Sequence, residues 1–153
     1  EPICRYRRGD LVVDVMPADE NAIGFGSRWY AEAVRHRVAA VTGVDVHVIS
    51  PIYFLATKLD AWPAEGRSGG DPILSHDVED IIAVLRGVDG LLEEIRAGDA
   101  AVHSEVRAGQ RELFGDEAGH EILAAHIEGD AATQATVPAL LSRIQKAVST
   151  SKG

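Results

Sequence analysis

Charged side chains are concentrated in residues 57–80, whose other residues are mostly apolar or turn-forming. The charges that could act together there are Lys58, Arg67, Asp60, Asp71, Asp77 and Asp80. Isolated charges are costly to bury, so charges carried by core-like segments predict a site that holds a ligand or a metal ion. A further carboxylate, Asp14, lies in a second apolar segment. Together these residues predict phosphate and metal chemistry.

Asp14 is the candidate metal ligand. It lies in the apolar segment 11–16, a pattern that predicts a buried strand. Because neighbouring residues of a strand point to opposite faces, Asp14 could equally lie on the solvent side of an edge strand. In the other interpretation, a rigid strand presents the carboxylate to a hard divalent cation such as Mg²⁺.

Lys58 belongs to a predicted helix that has few other polar residues. One face of this helix is apolar along its length and consists of Ile52, Leu55, Ala56 and Leu59. Lys58 could simply extend its ammonium to water along this apolar surface. The functional alternative is a point charge directed at a phosphate group, a role that suits lysine.

Asp77 and Asp80 are three residues apart in the next predicted helix and share a flanking face, so both could reach one site. Each also has a structural interpretation, as a favourable acid in the first helical turns or as an exposed side chain. Asp71 precedes a proline and Arg67 lies in the same loop. An ordinary ion pair between these two residues is as consistent with the pattern as a role in substrate binding.

The secondary-structure elements that must position these residues are predicted to be strands and one helix up to residue 49, and helices from residue 51 onward. The pattern predicts a hairpin over residues 3–16, a helix over 28–42 capped by Ser27, and a strand over 44–49. A helix follows from Pro51 to Trp62, then a loop over 63–74 and a helix capped by Ser75 that ends at Gly87. Further helices are predicted at 89–97, 99–114, 116–128 and 131–149. Pro138 either splits the last helix or marks its true start after Thr136.

Length and composition limit the classes of protein. The chain has 153 residues, 46% of them hydrophobic, which suffices for one real core. A net charge of -9 argues against a broad basic surface for duplex nucleic acid or an anionic membrane. The single cysteine, Cys4, and the absence of a long apolar run or a signal-type start predict a cytoplasmic protein with no membrane partner. The opening Glu-Pro is expected of a fragment or a processed product.

Ordered motifs over about residues 3–100 resemble a known family. They are Val13-Asp14-Val15-Met16-Pro17, Ile23-Gly24-Phe25, Arg28-Trp29-Tyr30, Thr57-Lys58-Leu59-Asp60-Ala61, Arg67, Asp71 and Ser75-His76-Asp77-Val78-Glu79-Asp80-Ile81-Ile82. In this order they resemble the nucleotidyltransferase-like proteins of the AbiEii/AbiGii toxin type. These belong to the DNA polymerase β-like nucleotidyltransferase superfamily. Beyond residue 100 the chain is similar to the family only as a run of helices.

The resemblance implies transfer of a nucleotidyl group from a nucleoside triphosphate to RNA or protein, in a toxin-antitoxin setting. In the family, three strand-borne carboxylates hold two divalent metals roughly 3.5 to 4 Å apart, which stabilise the entering and leaving oxygens. The resemblance makes Asp14 the third carboxylate, and Asp14, Lys58 and Asp77 the catalytic residues. Lys58, Arg67, Asp71 and Asp80 become the substrate-binding residues.

One part of the family pattern is missing. The 13 residues before Asp14 contain neither a Gly-Gly or Gly-Ser turn nor an acidic pair of the Asp-x-Asp type. One carboxylate cannot hold two metals, so Mg²⁺ is expected only together with that motif. The sequence therefore predicts the C-terminal portion of a metal-dependent nucleotidyltransferase, inactive as this isolated chain. The alternative is a non-catalytic interaction or oligomerisation module that assembles through an exposed sheet edge.

The predicted fold class is α+β, a small remnant of a mixed nucleotidyltransferase-type sheet followed by an all-helical C-terminal region. The resemblance implies that residues 1–50 form a partial nucleotidyltransferase-like α/β region, and 51–153 are predicted to form the helical region. Within the latter, 51–87 complete the site and 88–153 form a helical tail.

Overall fold

The computed structural model describes residues 4–15, 17–19, 26–39, 46–63 and 70–149. Short antiparallel strand pairs occupy the N-terminal part, and helices form the remainder. The predicted α+β class is therefore confirmed. No helix among these residues is long and apolar enough to cross a membrane.

The first two strands form the predicted hairpin. β1 (Arg5–Arg8) pairs antiparallel with β2 (Leu11–Asp14), and Gly9 in the turn adopts a φ of 60°, which favours glycine. The prediction of a buried strand is wrong, because every residue of both strands is exposed. Apolar residue types alone could not show that these strands are exposed.

The next segment differs from the prediction. α1 (Tyr30–Arg35) is a short helix, and the chain then forms β3 (Val38–Ala39), which pairs with β4 (His47–Val48). The predicted helix over 28–42 is therefore too long. Pairing with β4 replaces helical hydrogen bonds at a point where a β-branched residue, Val38, has little helical preference. Residues 40–45, where that helix was expected to end, lie outside the described part of the chain.

α2 (Pro51–Ala61) and α3 (His76–Gly87) form as predicted. Pro51 occupies the first turn of α2, where its missing N–H costs nothing. Ser75 caps α3 by accepting a hydrogen bond from the Val78 N–H through its Oγ, at 3.3 Å. A short 3-10 turn (Pro72–Leu74) precedes α3.

Residues 88–149 form five further helices: α4 (Leu91–Ala97), α5 (Ala101–Phe114), α6 (Ala118–His126), α7 (Ala131–Gln134) and α8 (Val137–Val148). Pro138 lies in the first turn of α8, so the last predicted helix is divided and its second part begins after Thr136. The sequence offered a divided helix and a start after Thr136 as alternatives, and the structure combines the two.

One hydrophobic core joins the helices. Its buried residues extend from Ala33 in α1 to Ala147 in α8. α2 contacts α1, α3, α4 and α5, which explains why its buried residues lie on most of its circumference. The last residues of α2 and the first of α3 are therefore held on a rigid support. The division at residue 50 into two regions stays a prediction.

Candidate functional site

The candidate site lies where the end of α2 meets the start of α3. The Lys58 Nζ is 3.0 Å from the Asp77 Oδ1 and 2.6 Å from the Asp80 Oδ2. Asp77 and Asp80 lie about one helical turn apart on α3, so both can reach the same ammonium. We call these three residues the Lys58 cluster. The structure thus brings together three of the residues that the sequence singled out.

The cluster is partly shielded from water. The Asp77 side chain is 9% exposed and that of Lys58 is 25% exposed, whereas Asp80 is 48% exposed. The Phe54 ring lies one turn before Lys58 on α2, with its centroid 5.6 Å from the ammonium, within the range of a cation–π interaction. The cluster therefore has a buried side at Asp77 and an open side at Asp80.

The surroundings of Lys58 favour its charged form. Burial by itself lowers the pKa of Lys58, but hydrogen bonds to Asp80 and Asp77 and the attraction of both carboxylates outweigh it and raise the pKa above the ordinary lysine value. A lysine that acts as a base or nucleophile needs the opposite shift. Lys58 is thus suited to hold an anionic group and unsuited to covalent catalysis.

The charges of the cluster do not balance. One ammonium faces two carboxylates, which leaves a formal charge of minus one. Such a group does not attract a phosphate by itself, but it can accept a divalent cation, after which the net charge becomes positive. Mg²⁺ is commonly bound by one or two carboxylates together with substrate phosphates. The open Asp80 carboxylate fits that role best.

Asp14 is engaged elsewhere. Its Oδ1 accepts from the Arg5 Nε and its Oδ2 from an Arg5 terminal nitrogen, both at 2.7 Å. The Arg5 hydrogen bonds hold the pKa of Asp14 below its usual range. Within the described residues no contact joins Asp14 to Lys58. The carboxylate lies on an exposed strand, as in the solvent-side alternative, and its metal role stays a prediction.

The remaining predicted site residues are Asp71 and Arg67. The Asp71 Oδ1 accepts a hydrogen bond from the Ile73 N–H at 2.9 Å, which caps the 3-10 turn before α3. Arg67 lies outside the described residues, so the predicted pair with Asp71 is not tested. Asp71 therefore has a structural task, and its substrate-binding role stays a prediction.

Sequence reasoning did not identify the support behind the cluster. The His126 Nε2 lies 2.8 Å from the Pro72 carbonyl oxygen and so links α6 to the turn before α3. No sequence signal indicates such a link, because 54 residues separate the two groups.

Among the described residues no group of three or more His, Cys, Asp and Glu side chains could hold a metal ion by itself.

Models of protein families, curated proteins and solved structures gave no match to this chain. The resemblance to nucleotidyltransferase-like proteins accordingly stays a prediction that depends on the motifs and on the Lys58 cluster.

Proposed function

We propose that this chain is part of a metal-dependent nucleotidyltransferase-like protein, in which the Lys58 cluster contacts the phosphates of a nucleoside triphosphate. The observation that carries the proposal is the contact of the Lys58 ammonium with both Asp77 and Asp80. The acceptor of the nucleotidyl group would be RNA or a protein, and the short strands would be the remnant of a nucleotidyltransferase-type sheet.

The chemistry assigned to Lys58 is electrostatic. A fixed ammonium beside the triphosphate offsets the charge that develops on the phosphate oxygens during transfer. Asp77 holds the ammonium in place from the buried side. Asp80, with its open side chain, would hold Mg²⁺ together with the phosphates.

Full catalysis requires more than this cluster. The two-metal arrangement needs carboxylates from an acidic pair that this sequence lacks before Asp14. We therefore expect this chain to bind a magnesium–triphosphate complex weakly and to show no turnover by itself.

Calorimetric titration with ATP and Mg²⁺ tests the role of the cluster. Replacing Lys58 by Met removes the only positive charge of the cluster, and replacing Asp80 by Asn removes the open carboxylate. Each loss is expected to weaken binding roughly tenfold, the equivalent of one charge-assisted hydrogen bond. The Asp80→Asn variant is expected to lose the Mg²⁺ dependence as well.

Asp60→Asn is the matched control for this titration. Asp60 is an exposed carboxylate on α2, and among the described residues it makes no ion pair. Its replacement changes the net charge as Asp80→Asn does but leaves the cluster intact. Equal affinity of the original chain and the Lys58→Met variant, or equal losses in Asp60→Asn and Asp80→Asn, would contradict the proposed role.

The second candidate function is a non-catalytic interaction module, and the exposed hairpin favours it. The register places Tyr6 opposite Val13, so these two residues share a face with Leu11. The exposed fractions are 62% for Tyr6, 61% for Leu11 and 44% for Val13. Within the described residues this sheet has only two strands, and its exposed face with Tyr6, Leu11 and Val13 suits pairing with a second copy of the chain.

Light scattering over a range of protein concentrations tests this alternative. Assembly through the hairpin predicts a mass that rises with concentration and returns to the monomer in Val13→Lys. Val34→Lys is the control, because Val34 is similarly exposed but lies on α1. A monomer at every concentration, or equal effects of both substitutions, would exclude assembly through the hairpin.

A further inference from the structure

A groove between α4 and α8 concentrates positive charge in an acidic protein. It has a volume of about 170 Å³ and is lined by Leu92, Glu93, Arg96, Arg143, Lys146 and Ala147. Leu92 and Ala147 are almost fully buried and form an apolar base. Three cations from two helices therefore converge on one depression of the surface, which we call the α4–α8 groove.

The surrounding sequence makes this concentration unusual. Residues 88–149 contain eleven acids and only five lysines and arginines. Two of these five side chains bind the backbone: Arg107 donates to the carbonyl oxygens of Ile95 and Gly98, and Arg111 donates to that of Val148. All three of the remaining cations line the groove. Like charges repel, and an anion bound in the groove would offset the repulsion among these three cations.

Structural tasks account for the three cations only in part. In the described part of the chain, none of Arg96, Arg143 and Lys146 forms an ion pair or donates a hydrogen bond within the protein. Arg96 and Lys146 lie in the last turns of their helices, where the helix dipole favours a cation. Arg143 lies one turn earlier, beyond the reach of that effect. All three side chains are available to a ligand.

We propose that the α4–α8 groove binds a compact phosphate dianion. Three cations and the Glu93 carboxylate give the groove a formal charge of plus two, which matches one phosphate group. The two guanidinium groups can each donate two parallel hydrogen bonds to phosphate oxygens, and the ammonium supplies a third, point-like charge. The groove shares no lining residue with the Lys58 cluster, so this site does not depend on the proposed nucleotidyltransferase function.

The size of the groove and the charge of the chain favour a small ligand. A long polyanion would extend past the groove onto a protein whose net charge is -9 and would be repelled there. A single phosphate group avoids this repulsion. Inorganic phosphate and the phosphate of a small phosphomonoester share this chemistry.

Nuclear magnetic resonance titration of the backbone amides tests the site, with inorganic phosphate and AMP as separate probes at a slightly alkaline pH. Binding is expected to shift amide signals of α4 and α8, and the effect is expected to weaken as salt is added. The double variant Arg143→Gln with Lys146→Gln is expected to bind roughly tenfold more weakly or not at all. Tighter binding of AMP than of phosphate would identify a phosphomonoester, and the reverse order a free phosphate.

Two further variants separate the site from general electrostatics. Arg8→Gln with Arg86→Gln removes two exposed arginines outside the groove and is expected to keep the original affinity. Arg143→Lys with Lys146→Arg retains the charges and is expected to restore most of the binding. Absence of shifts with both probes, unchanged affinity in the groove variant, or equal weakening in the control would overturn the assignment. Thermal melts of all variants check that each is folded.

Discussion

The hairpin and the α2–α3 junction use the same chemistry in different surroundings. Each joins aspartate to a cation at hydrogen-bond distance, Asp14 to Arg5 in the hairpin and Asp77 to Lys58 at the junction. The hairpin pair is 34% and 40% exposed and lies on strands whose residues are all exposed, whereas Asp77 is 9% exposed and lies against the helical core.

The difference shows why geometry alone does not decide what an ion pair contributes. An exposed pair gives up little hydration and is screened by salt, so it contributes little to stability in general, and the bidentate geometry of Arg5 and Asp14 is the case in which an exposed pair contributes most. A shielded pair leaves a costly unpaired charge when one partner is lost. The same shielding strengthens the field that a bound phosphate would experience, so the junction is the better candidate for function.

The largest difference in the free energy of unfolding between the helical core and the hairpin is expected when an apolar side chain is shortened to alanine. Leu55→Ala opens a cavity in the core, where Leu55 is 0% exposed, and is expected to lower the free energy of unfolding by about 2–5 kcal/mol. Val13→Ala, on the hairpin, is expected to change it by less than about 0.5 kcal/mol. Urea unfolding of both variants measures the two values. Similar losses would show that the hairpin is packed as part of the core.

A smaller difference in the free energy of unfolding is expected between variants of the two cations, Lys58 and Arg5. Lys58→Met leaves Asp77 shielded without its ammonium and is expected to cost about 1–3 kcal/mol in the free energy of unfolding. Arg5→Gln is expected to have a clearly smaller effect, because water readily solvates Asp14. Chemical denaturation at neutral pH compares the two. An equal or larger loss in Arg5→Gln would reverse the assignment of the shielded pair to the junction.

The pH dependence of the Lys58 effect has a definite sign. Because the folded-state pKa of Lys58 is raised, its contribution is complete below the pKa of an unfolded lysine, about 10.4, and is lost as the pH rises through the folded value. The stability difference between the original chain and Lys58→Met should therefore shrink in strongly alkaline solution. A difference that grows there would contradict the direction of the shift.

Helix capping gives a contrast between two serines at equivalent positions. Ser75 and Ser50 both precede a helix with an extended backbone, but only the Ser75 hydroxyl accepts a hydrogen bond from the first turn. Ser75→Ala is expected to lower the free energy of unfolding by about 1 kcal/mol, and Ser50→Ala by much less. Thermal unfolding of the two variants measures both losses. Equal losses would show that the hydroxyl contact of Ser75 does not stabilise the fold.

The smallest effect is expected at Asp14. Its carboxyl group should titrate below the ordinary aspartate range, and Arg5→Gln should return it to that range, since the Arg5 hydrogen bonds are the main cause of the shift. The stabilisation involved is present at neutral pH and lost as the pH falls through the lowered pKa. Carbon-13 resonances of the aspartate side chains report this titration. An unchanged titration midpoint of Asp14 in Arg5→Gln would show that the ion pair does not cause the shift.

The local signals in the sequence predicted most of the helices. Pro51 and Pro138 mark helix starts and Ser75 marks a cap, because these effects depend on the residue and its immediate neighbours. The same reasoning extended α1 too far, since pairing of Val38 with β4 depends on a segment about ten residues away. It also treated 11–16 as a buried strand, because apolar composition carries no information about what covers a surface.

The candidate site shows the same division. The sequence by itself determined that Lys58, Asp77 and Asp80 are charges on helices with apolar faces, and that Asp14 lies on a strand. Only the packing of α2 against α3 decided that the first three meet, while the hairpin register decided that Asp14 faces Arg5. Helical periodicity and capping act over a few residues, whereas convergence of side chains 19 positions apart follows from how the helices bury their apolar surfaces against one another.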